Sequence, residues 1–193
     1  MRAGKVVWVS WPGRAVDKGS QEGIRKRLEA EHSVYPVFLS PELEGLYYRS
    51  FCNGVLWPLL HCIPTEFDES LLSMFTTQYD AYNQVNQLFL ERVAEVYEEG
   101  DLVLVYDYEL MLLPAMLRRR FPDVACGFFF HCPFPSSEFY RILPVRQALL
   151  HGVLGADLVS FNHFDYVRHF LGVCMRILGL EVIGLVMAWY RRT

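Results

Sequence analysis

The chain is poor in the features that announce the commonest chemistries. It holds no block of lysines and arginines; 18 basic side chains stand against 22 acidic ones, for a formal net charge of −4. A nucleic-acid partner is not expected, because phosphate-backbone binding rests on clustered cations. The five cysteines, Cys52, Cys62, Cys126, Cys132 and Cys174, form no Cys-x-x-Cys pair and are odd in number. Free thiols in a reducing, cytoplasmic setting are the expectation. Neither a G-x-G-x-x-G loop nor a Walker sequence is present, so no phosphate cradle of those kinds is built here. The G-x-S-x-G nucleophile pattern is missing too. The opening MRAGKVVWVSWPG has too short an apolar core for a secretory signal before it turns. The stretch LGVCMRILGLEVIGLVMAW is long and apolar but carries Arg176 and Glu181. Each mid-membrane charge costs about 2.5–3.5 kcal/mol, so no membrane span is expected. Repeats, low-complexity segments and linkers are all lacking.

Apolar residues, by contrast, are abundant. They make up 52% of the 193 residues, above the usual ~45–50%. The length suits one domain with a sizeable core, and the apolar surplus points to surface covered by something else. KVVWVSW at 5–11 reads as a buried strand ended by the Pro12-Gly13 turn. A mostly polar helix follows in SQEGIRKRLEAEH, then a second strand, VYPVFL, at 34–39. PELEGLYYRSFCNGVLWPLLH has helical spacing broken near Asn53-Gly54 and Pro58, which predicts two short helices. One long amphipathic helix is predicted from a cap near Asp68 to Gly100. LVLVY at 102–106, ACGFFFH at 125–131 and ADLVSF at 156–161 read as strands. Helices are expected at 109–121, at about 136–152 and at 163–178.

Near-continuous apolar strands alternating with helices predict an α/β fold: a Rossmann-like parallel sheet with helices on both faces. Ligands of such sheets bind beyond the carboxyl ends of the strands. The residues there are Trp11-Pro12-Gly13, Asp107-Tyr108, His131 and Asn162-His163. His131 is a ligand candidate, since Pro133 and Pro135 fix the chain behind it and Asp107 stands at a neighbouring strand end. Ser136 is placed to cap the next helix and Glu138 to sit at its positive end. His163, Asp165 and His169 have the spacing of a metal site, but a surface ion pair is the favoured reading. Tyr48 and Trp57, nine residues apart, are core aromatics on composition alone.

Four stretches carry a resemblance: VVWVSWPG, YYRSFCNGVLWPLLH, GDLVLVYDYELMLLPAMLRRRFPD and GFFFHCPFPSSEFYRILPVRQALLHGVLGADLVSFNHFDYVRHF. In order, from about Val6 to Leu180, the chain resembles the trehalose-6-phosphate synthases, UDP-forming, retaining glycosyltransferases. The resemblance implies a GT-B architecture of two Rossmann-like domains. Residues 1–180 would be part of the N-terminal, acceptor-side domain, and 181–193 diverge from the family pattern. Implied substrates are UDP-glucose as donor and glucose-6-phosphate as acceptor, with neither cofactor nor metal. The implied partners are a C-terminal donor domain or other synthase subunits. By the same resemblance Tyr48 and Trp57 match acceptor-site aromatics, Asp107 an aspartate that bonds the acceptor sugar, and His131 a histidine that contacts the donor glucose; Asp107 and His131 are the catalytic candidates. The family's His-Asp-Tyr-His run reads Tyr106-Asp107-Tyr108-Glu109 here. A non-catalytic homologue that binds sugar phosphate or a partner is the alternative.

Overall fold

A computed structural model describes residues 6–63 and 69–181. The predicted cap at Asp68 and the tail from Val182 onward lie outside the described residues. The chain runs β1 (Trp8–Ser10), α1 (Lys18–His32), β2 (Val34–Pro36), a helical stretch from Pro41 to Leu60, α4 (Glu69–Ala94), β3 (Leu102–Tyr106), a 3-10 turn (Tyr108–Leu110), α5 (Leu113–Arg120), β4 (Ala125–Phe130), α6 (Ser137–Tyr140), α7 (Arg146–Val153), β5 (Leu158–Phe161) and α8 (Phe164–Leu178). The helical stretch comprises α2 (Pro41–Glu44), a π-helical segment (Gly45–Leu56) and α3 (Trp57–Leu60). Every predicted strand exists, and the mixed α/β fold with parallel strands is as expected.

The strands form two parallel sheets, β1-β2 and β3-β4-β5. Leu104 lies beside Gly127, and Gly127 beside Leu158. One face of the larger sheet presents Val105, Cys126, Phe128 and Phe130, all buried. α5 packs on β4 and α8 on β5, α7 packs on both of these helices, and α4 joins them through α5. Phe130, Phe134, Phe161 and Phe170 form one aromatic cluster in this core, with centroids 5.0–6.3 Å apart. Two glycines let α7 approach α5. A Cβ on Gly152 would come 2.3 Å from the Met111 carbonyl oxygen, and one on Gly155 would come 2.4 Å from the Ala115 Cα. On the opposite face Leu102, Leu104, Tyr106 and Leu158 are 65, 55, 50 and 47% exposed. The second helical layer expected from the sequence is therefore not met over β3 among the described residues.

Two further differences have local causes. The long helix leaves its α-helical course at Ala94, short of Gly100: Val96 bonds back to the Val93 carbonyl, a tightened last turn, and Gly100 adopts φ 94° in the bend that follows. The break predicted near Asn53-Gly54 and Pro58 does not occur. The backbone at Glu44, Gly45, Leu56 and Trp57 stays right-handed helical, and the widened register carries one continuous helical path through the stretch. Among the described residues no helix is long and apolar enough to cross a membrane.

Candidate functional site

The widened stretch decides where two aromatic side chains point. In an α-helix nine residues make about 2.5 turns, which would put Tyr48 and Trp57 on opposite sides. Here the Trp57 N–H donates to the Cys52 carbonyl, five residues back. With bonds of that length a turn takes roughly 4.4 residues, so nine residues make about two full turns and the two rings share a face. The Ser50 hydroxyl donates to the Gly45 carbonyl at 3.0 Å along the same register. Tyr48 is half-buried, its ring tilted against Trp11 with centroids 5.0 Å apart. Trp57 is 40% exposed and stacked on His61 at 4.0 Å. Neither ring belongs to the fully buried core that composition alone assigns them.

Asp107 closes β3 in a backbone state few residues tolerate, φ 64° and ψ 178°. That region is essentially glycine's, costs about 1–3 kcal/mol, and persists only where the surroundings over-determine it. They do so here. The Asp107 N–H donates to the Phe129 carbonyl at 2.9 Å. Asp107 Oδ1 accepts from the backbone N–H of Tyr108 at 3.1 Å and of Cys132 at 3.4 Å. The turn behind it is tied to the buried helices. Tyr82 Oη donates to the Tyr108 carbonyl at 2.7 Å and accepts from the Met111 N–H at 2.9 Å. Tyr47 Oη and Asn86 Nδ2 both donate to the Glu109 carbonyl, at 3.1 and 3.3 Å. Tyr108 Oη reaches Asn53 Oδ1 at 3.3 Å, linking this turn to the π-helical face.

The opening of the β4 loop completes the group. His131 is exposed at the end of β4, and its carbonyl accepts from Asn162 Nδ2 at 2.9 Å. Behind it Phe134 is buried against Tyr140, which fixes the exit of the Pro133–Pro135 turn. The bond from Cys132 N–H to Asp107 Oδ1 places the Asp107 carboxylate at the root of His131. Asp107 and His131 thus adjoin at the ends of β3 and β4, while Tyr48 and Trp57 stand two turns apart on the helical stretch that Asn53 and Tyr47 tie to the turn behind Asp107. Asn53 and Asn162 hold this group and were not singled out as site residues; only the position of Asn162 beside a strand end gave a signal.

Electrostatically the site is a carboxylate neighbourhood. Burial, and secondarily the nearby Asp107 charge, pushes the Glu109 carboxyl from its ordinary 4.5 up to about 7. Burial likewise raises Tyr108 and the Cys132 thiol, reinforced at Tyr108 by Glu109 and at Cys132 by Asp107. The metal reading of the α8 histidines loses its ligands. His163 Nδ1 accepts from the Asp165 N–H at 3.2 Å, Asp165 pairs with Arg168 at 3.4 Å, and the His169 ring is 2.8 Å from the Phe134 carbonyl. Ser136 stands at the start of α6 without a side-chain capping bond, and Glu138 pairs instead with Arg176 and Arg141. A groove of about 480 Å³, lined by Tyr79, Met116, Arg119 and His151 among others, opens between the helices, away from the strand ends.

A UDP-forming trehalose-phosphate synthase of Aspergillus niger is 48% identical over 179 residues, which are 90% of this chain and 33% of the relative. The chain therefore spans about a third of the length of the curated relatives it matches. The N-terminal domain of a Candida albicans trehalose-6-phosphate phosphatase superposes with TM-score 0.76 at 36% identity, covering 90% of this chain and 36% of that one. The same fold, at TM-score 0.70 and 22% identity, occurs in a Burkholderia xenovorans synthase crystallised with glucose-6-phosphate, over 89% of this chain and 43% of that one. With residues 1–188 matched by the profile of that family, the chain belongs to glycosyltransferase family 20.

Proposed function

We propose that this chain is the acceptor-holding part of a UDP-forming trehalose-6-phosphate synthase, which moves glucose from UDP-glucose to glucose-6-phosphate with retention. The observation that carries this reading is Asp107, held at φ 64° where a strand end meets the His131 loop. Strain of that kind, stabilised from several sides, collects at ligand sites. In this reading the Asp107 carboxylate accepts hydrogen bonds from acceptor hydroxyls, Tyr48 and Trp57 supply the aromatic face that sugar sites use, and His131 meets the donor glucose. Retention along a front-face path requires no protein nucleophile, cofactor or metal. It requires both substrates in near-attack geometry and a stabilised leaving phosphate. The groups that bind the UDP phosphates belong to polypeptide outside the described residues. Five free cysteines fit work in a reducing, cytoplasmic compartment.

The test is transplantation. This segment replaces its counterpart in the Aspergillus niger synthase, and UDP release from UDP-glucose is followed with glucose-6-phosphate present. Activity that Asp107→Asn and Trp57→Ala reduce, without loss of fold, supports the reading. Full activity in both variants removes these residues from the site.

A second reading has its own observation. Tyr106 and Glu109 flank Asp107 where the family run has histidines, and the 36% identical neighbour is part of a protein named for phosphatase activity. A domain that binds sugar phosphate without transferring glucose would give an inactive chimera that still shows glucose-6-phosphate binding by saturation-transfer NMR.

A further inference from the structure

Asp107 keeps its φ of 64° only while the backbone is anchored on both sides of it. On the near side its own N–H donates to the Phe129 carbonyl of β4 at 2.9 Å. On the far side lies the turn from Tyr108 to Met111, where the Leu110 N–H donates to the Asp107 carbonyl at 3.2 Å. One side-chain atom meets that turn twice. Tyr82 Oη donates to the Tyr108 carbonyl at 2.7 Å and accepts from the Met111 N–H at 2.9 Å. A phenol hydroxyl is donor and acceptor together, so a single atom closes both ends of the turn.

That atom is itself held firmly. Tyr82 is fully buried on α4, with its ring centroid 4.8 Å from that of Phe51 and 5.9 Å from that of Tyr47. Burial raises its pKa well above the ordinary tyrosine value, so the hydroxyl keeps the proton it donates. Four residues on, along the same face of the helix, Asn86 is fully buried too. Its Nδ2 donates to the Tyr82 carbonyl at 2.9 Å and to the Glu109 carbonyl at 3.3 Å. Between and beyond them Val85 and Phe89 fill the core with apolar side chains. Buried hydrogen bonds add little net stability over such residues, but they fix one geometry. The geometry fixed here is that of the two residues that follow Asp107.

We infer that Tyr82 is a positioning residue for Asp107: its hydroxyl, backed by Asn86, pins the turn that keeps the Asp107 carboxylate against the His131 loop, where Oδ1 accepts from the Cys132 N–H at 3.4 Å. Without the hydroxyl the turn is released, the strained φ of Asp107 relaxes, and the carboxylate leaves the Cys132 N–H. Being fully buried, Tyr82 meets no substrate itself. Its consequence for turnover rests on the acceptor-site reading above; its hold on Asp107 does not.

Two measurements test it with Tyr82→Phe, which keeps the ring and its packing. In the full 193-residue chain the variant should speed amide hydrogen exchange at Cys132 by about tenfold or more. Val173→Ala, which empties space in the buried core of α8, should not. Equal speeding in both variants, or none in Tyr82→Phe, overturns the hold on Asp107. In the chimera with the Aspergillus niger synthase, Tyr82→Phe should lower kcat/KM for glucose-6-phosphate by about tenfold and leave KM for UDP-glucose unchanged. Added to Asp107→Ala, it should cost nothing further, because residues that act as one unit do not add. Losses that multiply in the double variant, or full activity in Tyr82→Phe where Asp107→Ala is impaired, overturn the positioning role. Full activity in Asp107→Ala overturns the acceptor-site reading instead, and exchange at Cys132 then still decides whether Tyr82 holds the strained turn.

Discussion

At the scale of the residue, Asp107 separates support from chemistry. Asn keeps an oxygen to accept from the Tyr108 and Cys132 N–H groups and tolerates positive φ better than most residues. Asp107→Asn should leave the thermal midpoint of the chain nearly unchanged. In the active chimera it should lower kcat/KM by about one to two powers of ten, the size of a lost charge-assisted bond. Ala keeps the φ strain and loses both bonds, so Asp107→Ala should cost about 1–3 kcal/mol of stability as well. Equal loss of stability in both variants, with activity per folded molecule intact, would make the carboxylate a structural group. Its strain was invisible in the sequence, because φ 64° is set by the turn behind Asp107 and not by the residue itself.

Glu109 supplies a pH signature. Its carboxyl titrates near 7 in the folded chain against an ordinary 4.5, so the folded state holds this proton more tightly than the unfolded state does. The resulting stabilisation is complete below about pH 4.5 and disappears as the pH rises through about 7. Its size is at most on the order of 3 kcal/mol. Denaturant midpoints measured from pH 5 to 8 should fall with rising pH, and Glu109→Gln should flatten that slope. An unchanged slope in the variant would place the titrating group elsewhere.

Among the elements, those whose signals are local were legible: the strand runs LVLVY and ACGFFF, and the helix expected at 163–178, which forms as Phe164–Leu178. The helical path through Asn53, Gly54 and Pro58 was not, because residue propensities report on α-helix and the stretch solves its breaks by widening its register. That same widening puts Tyr48 and Trp57 on one face, a relation that α-helical periodicity hides. The α5–α7 crossing was equally silent, since nothing in the sequence marks Gly152 and Gly155 as contact points. Gly152→Ala forces a Cβ against the Met111 backbone, which cannot swing aside like a side chain. A loss of about 1–3 kcal/mol or more is expected from chemical denaturation. The strain would also reach the Met111 N–H that Tyr82 accepts, and so the turn behind Asp107. Gly172→Ala is the contrast: it lies in α8 with open space around its would-be Cβ and should be neutral or slightly stabilising.

At the scale of the whole molecule, charge decides what the chain does unaided. Transfer from UDP-glucose develops negative charge on a leaving diphosphate, which must be met by fixed cations or dipoles. The groups assembled at the β3 and β4 ends are Asp107, Glu109, Tyr108, Cys132 and His131, with no lysine or arginine among them. Many of the described cations are engaged elsewhere. Arg92 pairs with Glu29 and Glu95, Arg118 with Asp157, Arg49 with Glu44, and Arg176 with Glu138. The 193-residue chain incubated with UDP-glucose and glucose-6-phosphate should therefore release no UDP above background, while the chimera does. Glucose-6-phosphate alone should still perturb the Tyr48 and Trp57 rings at millimolar concentration, because the aromatic face and the Asp107 carboxylate need no donor to be in place. Enzyme-dependent UDP release by the chain itself, abolished by His131→Ala, would show that the diphosphate is stabilised from within these residues and would overturn the division of labour proposed for the two sides of the site.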